Sequence, residues 1–239
     1  MAGEIIKTKG LVLAIHPWSR TSHIVTWLTP DHGVVGTHVK GAVRPKSAFL
    51  GQYDLFYACD LLYYANARGD LHALREVTPR KFRETLRGRW RETCLAGYAA
   101  ALVRDLAPPG AEAAAWYDAL DNRLDALGAD PNATTVPHLR QLVSLEMEVL
   151  RLAGLAPDFS GLDPHAEWTP FAIDSGRCGS GTRTIRLTPG TVVALTRPDA
   201  ATTAEPALRD AVRFLGNFLA FHLDTPPDVR RTLVGVLNA

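Results

Sequence analysis

The amino-acid sequence predicts an α+β protein in which a small β-barrel precedes an α-helical domain. Up to residue 80, short segments rich in β-branched, aromatic and aliphatic residues alternate with turn signals. Beyond Arg80, apolar residues recur at about every fourth position, which is typical of helices. The change of period predicts a barrel domain at residues 1–80 and a helical domain at residues 81–239.

The barrel is predicted from strand-like segments that are separated by turn signals. They are LVLAI (11–15), SHIVTWL (22–28), VVGTHV (34–39), YDLFYACDLLYY (53–64) and LHALREV (71–77). Five short strands fit a closed barrel better than a sandwich, which usually needs about seven. Alternation in the last segment predicts that Leu71, Ala73 and Val77 share one face and that Leu74 lies on the other.

Apolar stripes predict helices over residues 86–106, 116–127, 139–150 and 208–222, and in the first of them Trp90 is expected to face the core. The predicted helix ends lie at APPG (107–110), GADPN (128–132), Gly154 and the two prolines at 226 and 227. Between the third and the last helix, residues 155–187 are rich in Gly, Pro, Ser and Thr. This segment is interpreted as a long insertion or a small irregular subdomain, and so long a segment usually has a function.

Composition indicates a soluble globular protein. The chain has 239 residues, of which 46% are hydrophobic and 21% are charged. The first ten residues contain no apolar stretch typical of a signal peptide, and no apolar run approaches the roughly 18 residues that span a bilayer. Three widely separated cysteines favour a reducing, cytoplasmic location without structural disulfides.

The net charge of +1 conceals an asymmetry between the two parts of the chain. Residues 1–92 hold 14 Lys and Arg against 8 Asp and Glu, and the remainder has an excess of acidic residues. Such a split indicates that the N-terminal part faces a polyanion. The alternative is that two solvated surfaces differ by chance.

Catalytic and metal sites are not expected. A structural zinc site needs four ligands at close spacing, but Cys178 has no other cysteine within about thirty residues and His165 makes only two candidate ligands. The sequence contains no G-x-S-x-G, H-E-x-x-H or G-x-x-x-x-G-K-[ST] motif. A nuclease would need clustered carboxylates for Mg²⁺, whereas the aspartates of the barrel region lie on separate strands and turns. No cofactor is therefore predicted.

The candidate DNA-binding residues centre on the loop KGAVRPKSAFLG, residues 40–51, which joins two predicted strands. Lys40, Arg44 and Lys46 can reach successive phosphates, and Gly41 and Pro45 shape the backbone between them. Further cations are expected to assist, namely Arg20, Arg75, Arg80 and Lys81.

Aromatic residues in the barrel could stack on bases. The candidates are Trp18, Trp27, Tyr53, Phe56, Tyr57, Tyr63 and Tyr64, most of which must fill the core. The basic stretch RGRWRE (87–92) has two interpretations. It could contact DNA, or it could be the solvated face of a helix that carries i,i+4 ion pairs.

In order and spacing, the N-terminal motifs resemble those of the bacterial recombination mediator family RecO. The resemblance covers residues 4–78 well, and the helical region matches by order and length, including LRLAGLAPDF (150–159). The motifs are PWSRTS (17–22), TPDHG (29–33), KGAVRPKS (40–47), LG (50–51) and GDLHALRE (69–76).

The resemblance implies an N-terminal OB-fold, a helical domain and a non-enzymatic role in homologous recombination. Family members bind single- and double-stranded DNA, anneal complementary strands and help to load recombinase onto DNA coated by single-stranded-DNA-binding protein. The implied partners are RecR and the acidic tail of the single-stranded-DNA-binding protein, and the implied location is the nucleoid. Many members carry a four-cysteine zinc module where this chain keeps only Cys178, so residues 155–187 are expected to be a degenerate, zinc-free version.

A protein-docking groove on the helical domain is a second hypothesis. An acidic, hydrophobic tail needs an apolar pocket with a cationic rim. The candidate rim residues are Arg104, Arg123, Arg140, Arg151, Arg209 and Arg213. The sequence leaves one alternative function open, a protein-interaction scaffold whose barrel binds a protein and whose basic loop only confers solubility.

Overall fold

The computed structural model describes residues 4–129, 134–163, 165–200, 203–223 and 228–238. It contains two compact units, which divide between residues 129 and 130. The first unit therefore holds the strands up to residue 81 together with two helices. The predicted helix ends at residues 226 and 227, and residues 130–132 of GADPN, lie outside the described residues.

The first unit contains a closed five-stranded barrel, as predicted. Its strands are β1 (Ile5–Ser19), β2 (Ser22–Thr29), β3 (Gly33–Val39), β4 (Ala58–Tyr64) and β5 (Leu71–Lys81). They follow the order β1-β2-β3-β5-β4 and close into a barrel in which β3 and β5 are parallel. This is the Greek-key arrangement of an OB-fold.

Alternating side chains of the strands fill the barrel. Val12, Val25, Val35 and Leu61 are buried around Trp27, which is fully buried. The indole Nε1 of Trp27 donates a hydrogen bond of 2.8 Å to Thr37 Oγ1, so its one polar group is satisfied inside the core.

The predicted faces of β5 were wrong because the strand contains an irregularity. Leu62 pairs with Glu76 while the next residue, Tyr63, pairs with Leu74, which leaves Arg75 as the extra residue. A bulge of this kind shifts the alternation by one position. As a result Leu74 and Val77 are both buried, whereas Leu71 is exposed.

Two helices complete the first unit. They are α1 (Trp90–Leu106) and α2 (Ala114–Ala129), each preceded by a short 3₁₀ turn, at Glu84–Leu86 and Gly110–Ala113. The expectation that Trp90 faces the core was wrong, because its side chain is 65% exposed. An α-helix has 3.6 residues per turn, so residues four positions apart do not lie exactly above one another. Trp90 lies three such steps before the buried Leu102, and its side chain therefore points roughly 120° away from that of Leu102.

The second unit is mainly helical. Its helices are α3 (Thr135–Leu152), α4 (Pro189–Thr196), α5 (Glu205–His222) and α6 (Val229–Asn238). Residues 155–187 form more regular structure than the sequence indicated, namely a three-stranded antiparallel sheet. Its strands are β6 (Thr169–Ala172), β7 (Arg177–Cys178) and β8 (Thr184–Leu187). Phe171 of this sheet packs against Phe214 and Phe218 of α5, so the segment belongs to the core of its unit.

Candidate nucleic-acid interface

The loop that follows β3 is held against the hairpin between β1 and β2. The backbone N–H of Val43 donates to the carbonyl of Thr21 at 3.3 Å, and the N–H of Gly41 donates to Ser22 Oγ at 3.3 Å. Gly41 has a φ of 72°, a left-handed conformation that favours glycine. The neighbouring Ala42 is buried, so backbone contacts and one small side chain fix the loop.

This anchoring brings four of the predicted cations to one region of the barrel. Lys40, Arg44 and Lys46 are exposed on the loop, and Arg20 is exposed at the tip of the hairpin to which the loop is bonded. Within the described residues none of the four forms an ion pair with a carboxylate. We call Arg20, Lys40, Arg44 and Lys46 the basic cluster.

Among the candidate aromatic residues, Trp18 differs from the others by its exposure. Trp18 is 62% exposed and lies at the register shift between Pro17 and Ser19, in the strand that leads to Arg20. Its ring meets the ring of His38 edge to face at a centroid distance of 6.4 Å. Four of the other candidates are buried, namely Trp27, Phe56, Tyr57 and Tyr63.

Arg75 lies on the outside of the barrel, at the β5 irregularity. Its guanidinium carbon is 5.6 Å from the centre of the Tyr64 ring, and its Nε is 3.5 Å from Glu76. Tyr64 also lines an open groove of about 860 Å³ together with His38 on β3 and Arg68 in the loop between β4 and β5. Sequence reasoning missed Arg68, although the β4–β5 loop is one of the loops by which OB-folds bind oligonucleotides.

The remaining two DNA-binding candidates are neutralised by carboxylates. Arg80 contacts Asp60 at 2.6 Å, and Lys81 Nζ contacts Asp121 at 2.7 Å and Asp125 at 2.6 Å on helix α2. Arg83, whose side chain is only 5% exposed, binds the same two aspartates. These residues therefore join the end of β5 to α2, and their charges are already balanced.

The carboxylate network makes the stability of the first unit depend on pH. Burial raises the pKa of Asp125, but hydrogen bonds from Lys81 and Arg83 outweigh burial and hold that pKa below its ordinary value. A carboxyl whose pKa is lowered by folding stabilises the folded state fully above its unfolded pKa of about 3.9, and the contribution is lost as pH falls through the folded pKa.

We therefore expect Asp125→Asn to reduce the free energy of unfolding at pH 7 by up to about 1 kcal/mol. The difference from the parent protein should shrink as the pH is lowered from 5 to 3, which urea titrations at several pH values would measure. Asp118→Asn, an exposed residue on the same helix, is the matched control. A difference that stays constant over this pH range would contradict the assignment.

The stretch RGRWRE is not one helical face. Residues 87–89 precede α1, and Arg87 contacts Asp54 at 2.5 Å and Tyr57 Oη at 2.9 Å, with its guanidinium 5.3 Å from the Tyr57 ring centre. Arg87 therefore binds the barrel of its own unit, rather than an i,i+4 partner.

In the second unit, α3, α5 and α6 surround a cavity of about 430 Å³, which we call the helix cavity. Its apolar lining includes Leu139, Leu142, Val212, Val234 and Leu237, and its arginines are Arg209, Arg213 and Arg230.

The predicted rim residues are only partly brought together. Arg209 and Arg213 line the helix cavity, whereas Arg140 and Arg151 do not. Arg104 and Arg123 belong to the first unit, where Arg104 pairs with Asp105 at 2.8 Å. Sequence reasoning missed Arg230, which binds the fully buried Glu146.

The described residues offer neither a metal site nor a membrane-spanning helix. Within residues 4–129, 134–163, 165–200, 203–223 and 228–238, no group of three or more His, Cys, Asp or Glu side chains is arranged to hold a metal ion. In the same ranges no helix combines the length and the apolar character that crossing a membrane requires.

The three cysteines are free thiols, and burial raises the pKa of Cys59 to about 12.

Comparison with known proteins agrees with this architecture. The family model described as Recombination protein O N terminal matches residues 1–83, and the model described as Recombination protein O C terminal matches residues 87–231. The DNA repair protein RecO of Anaeromyxobacter sp. (strain K) is 31% identical over 248 residues, which cover 95% of each chain. That of Anaeromyxobacter dehalogenans (strain 2CP-1) is 31% identical over 247 residues, again with 95% of each chain covered.

A solved structure, the asparaginyl-tRNA synthetase of Entamoeba histolytica, aligns at 12% identity with a TM-score of 0.31, covering 94% of this chain and 57% of that one. A TM-score this low does not indicate a shared fold. The two family models together span most of the sequence, and relatives above 30% identity align over nearly its whole length. The chain therefore belongs to the RecO family of DNA repair proteins.

Proposed function

We propose that this RecO family member binds single- and double-stranded DNA through the basic cluster. The observation that carries the proposal is that Arg20, Lys40, Arg44 and Lys46 are exposed in one region of the barrel, without carboxylate partners among the described residues. Cations that are not neutralised within the protein are available to replace the counterions of phosphates. Arg68 adds positive charge at the groove, whereas Arg75, Arg80 and Lys81 contribute less because each forms an ion pair with a carboxylate.

Strand annealing follows from such a surface without covalent chemistry. Neutralising the phosphates of two strands reduces their mutual repulsion, and base pairing then supplies the sequence specificity. We propose that the protein acts in this way in homologous recombination, as a non-enzymatic mediator that works with RecR and helps to load recombinase onto coated single strands. Binding to chromosomal DNA would place it at the nucleoid.

The test is a salt series with the whole chain. Dissociation constants for a labelled single strand and for the matching duplex are measured between about 50 and 200 mM salt. The logarithm of the association constant should fall linearly with the logarithm of the salt concentration. No salt-dependent binding, with binding to a protein partner such as RecR retained, would instead favour the scaffold alternative.

A second proposal concerns the helix cavity. We propose that it accepts the acidic, hydrophobic tail of the single-stranded-DNA-binding protein, because leucine, valine and arginine side chains line it together. Arg213 is the most accessible of these, with a side chain 74% exposed and an ion pair of 2.9 Å to Asp210 on the same helix. A carboxylate of the tail would compete with Asp210 for this guanidinium.

We expect Arg213→Glu to weaken binding of the tail peptide roughly 3- to 10-fold, because reversing the charge converts an exposed attraction into a repulsion. Fluorescence anisotropy of a labelled peptide would measure it. Arg177→Glu is the matched control, since Arg177 is equally exposed in the same unit and does not line the cavity. Equal losses in the two variants, or no binding by the parent chain at tens of micromolar peptide, would count against the cavity.

A further inference from the structure

The outer surface of the barrel carries a row of accessible side chains that crosses all five strands. His16 on β1 pairs with Ile24 on β2, which pairs with His38 on β3. His38 pairs with Ala73 on β5, and Ala73 pairs with Tyr64 on β4. Residues paired across strands lie on the same face of a sheet, and all five are at least partly exposed. Their sequence neighbours Val25, Val39, Leu74 and Tyr63 belong to the buried core.

Trp18 lies beside this row, two positions after His16 on β1 and with its ring against that of His38. Its indole meets the imidazole of His38 edge to face, while most of the indole surface remains in solvent. Burying an aromatic ring of this size ordinarily stabilises a protein, so exposing it gives up that stabilisation. Trp27 in the next strand is, by contrast, fully buried, and its N–H donates a hydrogen bond inside the core.

Two cations of the basic cluster lie close in the chain to Trp18 and to the ring it contacts. Lys40 follows His38 by two positions, in the turn after β3. Arg20 follows Trp18 by two positions at the tip of the hairpin, next to the backbone that binds the loop. An exposed aromatic ring in the same region of the barrel as the basic cluster matches a nucleotide strand, in which planar bases alternate with negatively charged phosphates.

We propose that Trp18, supported by His38, is a base-stacking subsite for single-stranded DNA. This subsite rests on the proposed DNA binding and gives Trp18 a different role from the basic cluster. Phosphates are accessible in both single strands and duplexes, so the basic cluster binds both forms. The faces of bases are accessible only in single strands, because in a duplex they are stacked on one another. Trp18 therefore gives the protein additional affinity for single strands.

The test compares Trp18→Ala with the parent chain on three labelled probes of about 20 nucleotides: a single strand, the matching duplex, and a single strand of abasic sites. We expect affinity for the ordinary single strand to fall roughly 5- to 150-fold, the loss of one base–aromatic stack. Affinity for the duplex and for the abasic strand should change less than about 2-fold, and the slope of the salt series should stay the same, because no phosphate contact is removed.

Two further variants complete the test. Trp18→Phe should recover most of the lost affinity, and Trp168→Ala, which removes an exposed tryptophan from the second unit, should have no effect. An equal loss on all three probes, no loss on the ordinary single strand, or a failure of phenylalanine to restore binding would overturn the subsite. If instead the parent chain shows no salt-dependent binding to any probe, the proposed function itself fails. That result differs from the outcomes that overturn the subsite, because in those the parent chain still binds DNA.

Discussion

Replacing Lys40, Arg44 and Lys46 together by alanine is expected to lower the affinity for DNA by roughly 100- to 500-fold at 0.1 M salt. Each phosphate contact contributes about 0.7 to the slope of the salt series for a single strand and about 0.9 for a duplex. Three lost contacts should therefore reduce the slope by about 2 to 3. The loss of affinity should appear with single-stranded and with double-stranded DNA. Trp18→Ala, in contrast, should weaken binding to single strands and leave binding to the duplex nearly unchanged.

The triple variant should fold normally, which makes its binding interpretable. All three side chains are exposed and without carboxylate partners in the described part of the chain. The loop is held by the backbone bond from Val43 to Thr21 and by the buried Ala42, both of which remain. Exposed substitutions of this kind usually change stability by less than about 0.5 kcal/mol.

A matched control removes the same charge elsewhere. Arg177, Arg183 and Arg197 are exposed in the second unit, and their joint replacement by alanine changes the net charge equally. We expect this control to leave the salt slope unchanged. If both triple variants lower the slope to the same extent, DNA responds to overall charge and the basic cluster is not a binding site.

The barrel could be predicted because its determinants are local. Turn signals separate the strand-like segments, and five short strands suit a closed barrel better than a sandwich. The two predictions that were wrong, the faces of β5 and the burial of Trp90, depend on small departures from the ideal strand and helix periods. The extra residue Arg75 inverts the faces of β5, and accumulated helical drift moves Trp90 away from the core.

The candidate site was predictable in part for a similar reason. The basic loop is visible as a local run of cations, but the pairing of Lys81 with Asp121 and Asp125 joins residues 40 and 44 positions apart. The sequence also could not show which of the two tryptophans, Trp18 or Trp27, is exposed. They lie on neighbouring strands, and only the barrel register buries one and leaves the other in solvent.

The largest expected effect on stability lies in the second unit, at the ion pair between Glu146 on α3 and Arg230 on α6. Glu146 is fully buried and Arg230 is 16% exposed. The guanidinium Nε and Nη2 donate to the two carboxylate oxygens at 2.6 and 3.0 Å, and Nη2 also donates to the carbonyl of Val212 at 2.8 Å. Gly216 leaves room for this arrangement, since a Cβ there would lie 2.6 Å from Arg230 Nη1.

We expect Glu146→Ala to lower the free energy of unfolding by about 3 to 5 kcal/mol, because it leaves the Arg230 charge without its buried partner. Arg230→Ala should cost a similar amount, since it removes the guanidinium that binds the fully buried carboxylate of Glu146. Urea denaturation followed by circular dichroism would measure the loss. Arg177→Ala is the control, because its ion pair with Asp158 is exposed and the expected loss is below about 1 kcal/mol.

A double variant separates the cost of removing one charged partner from the net contribution of the ion pair to stability. Because burying an ion pair requires desolvating both partners, Glu146→Leu combined with Arg230→Met should be more stable than either single alanine variant. Helix α6 also supplies Val234 and Leu237 to the helix cavity, so the single variants should lose affinity for the tail peptide in proportion to the undocking of α6. If both single variants cost less than about 1 kcal/mol, the pair does not hold α6 in place. Apolar packing, which includes the buried Leu233 and Leu237, then holds this wall of the cavity.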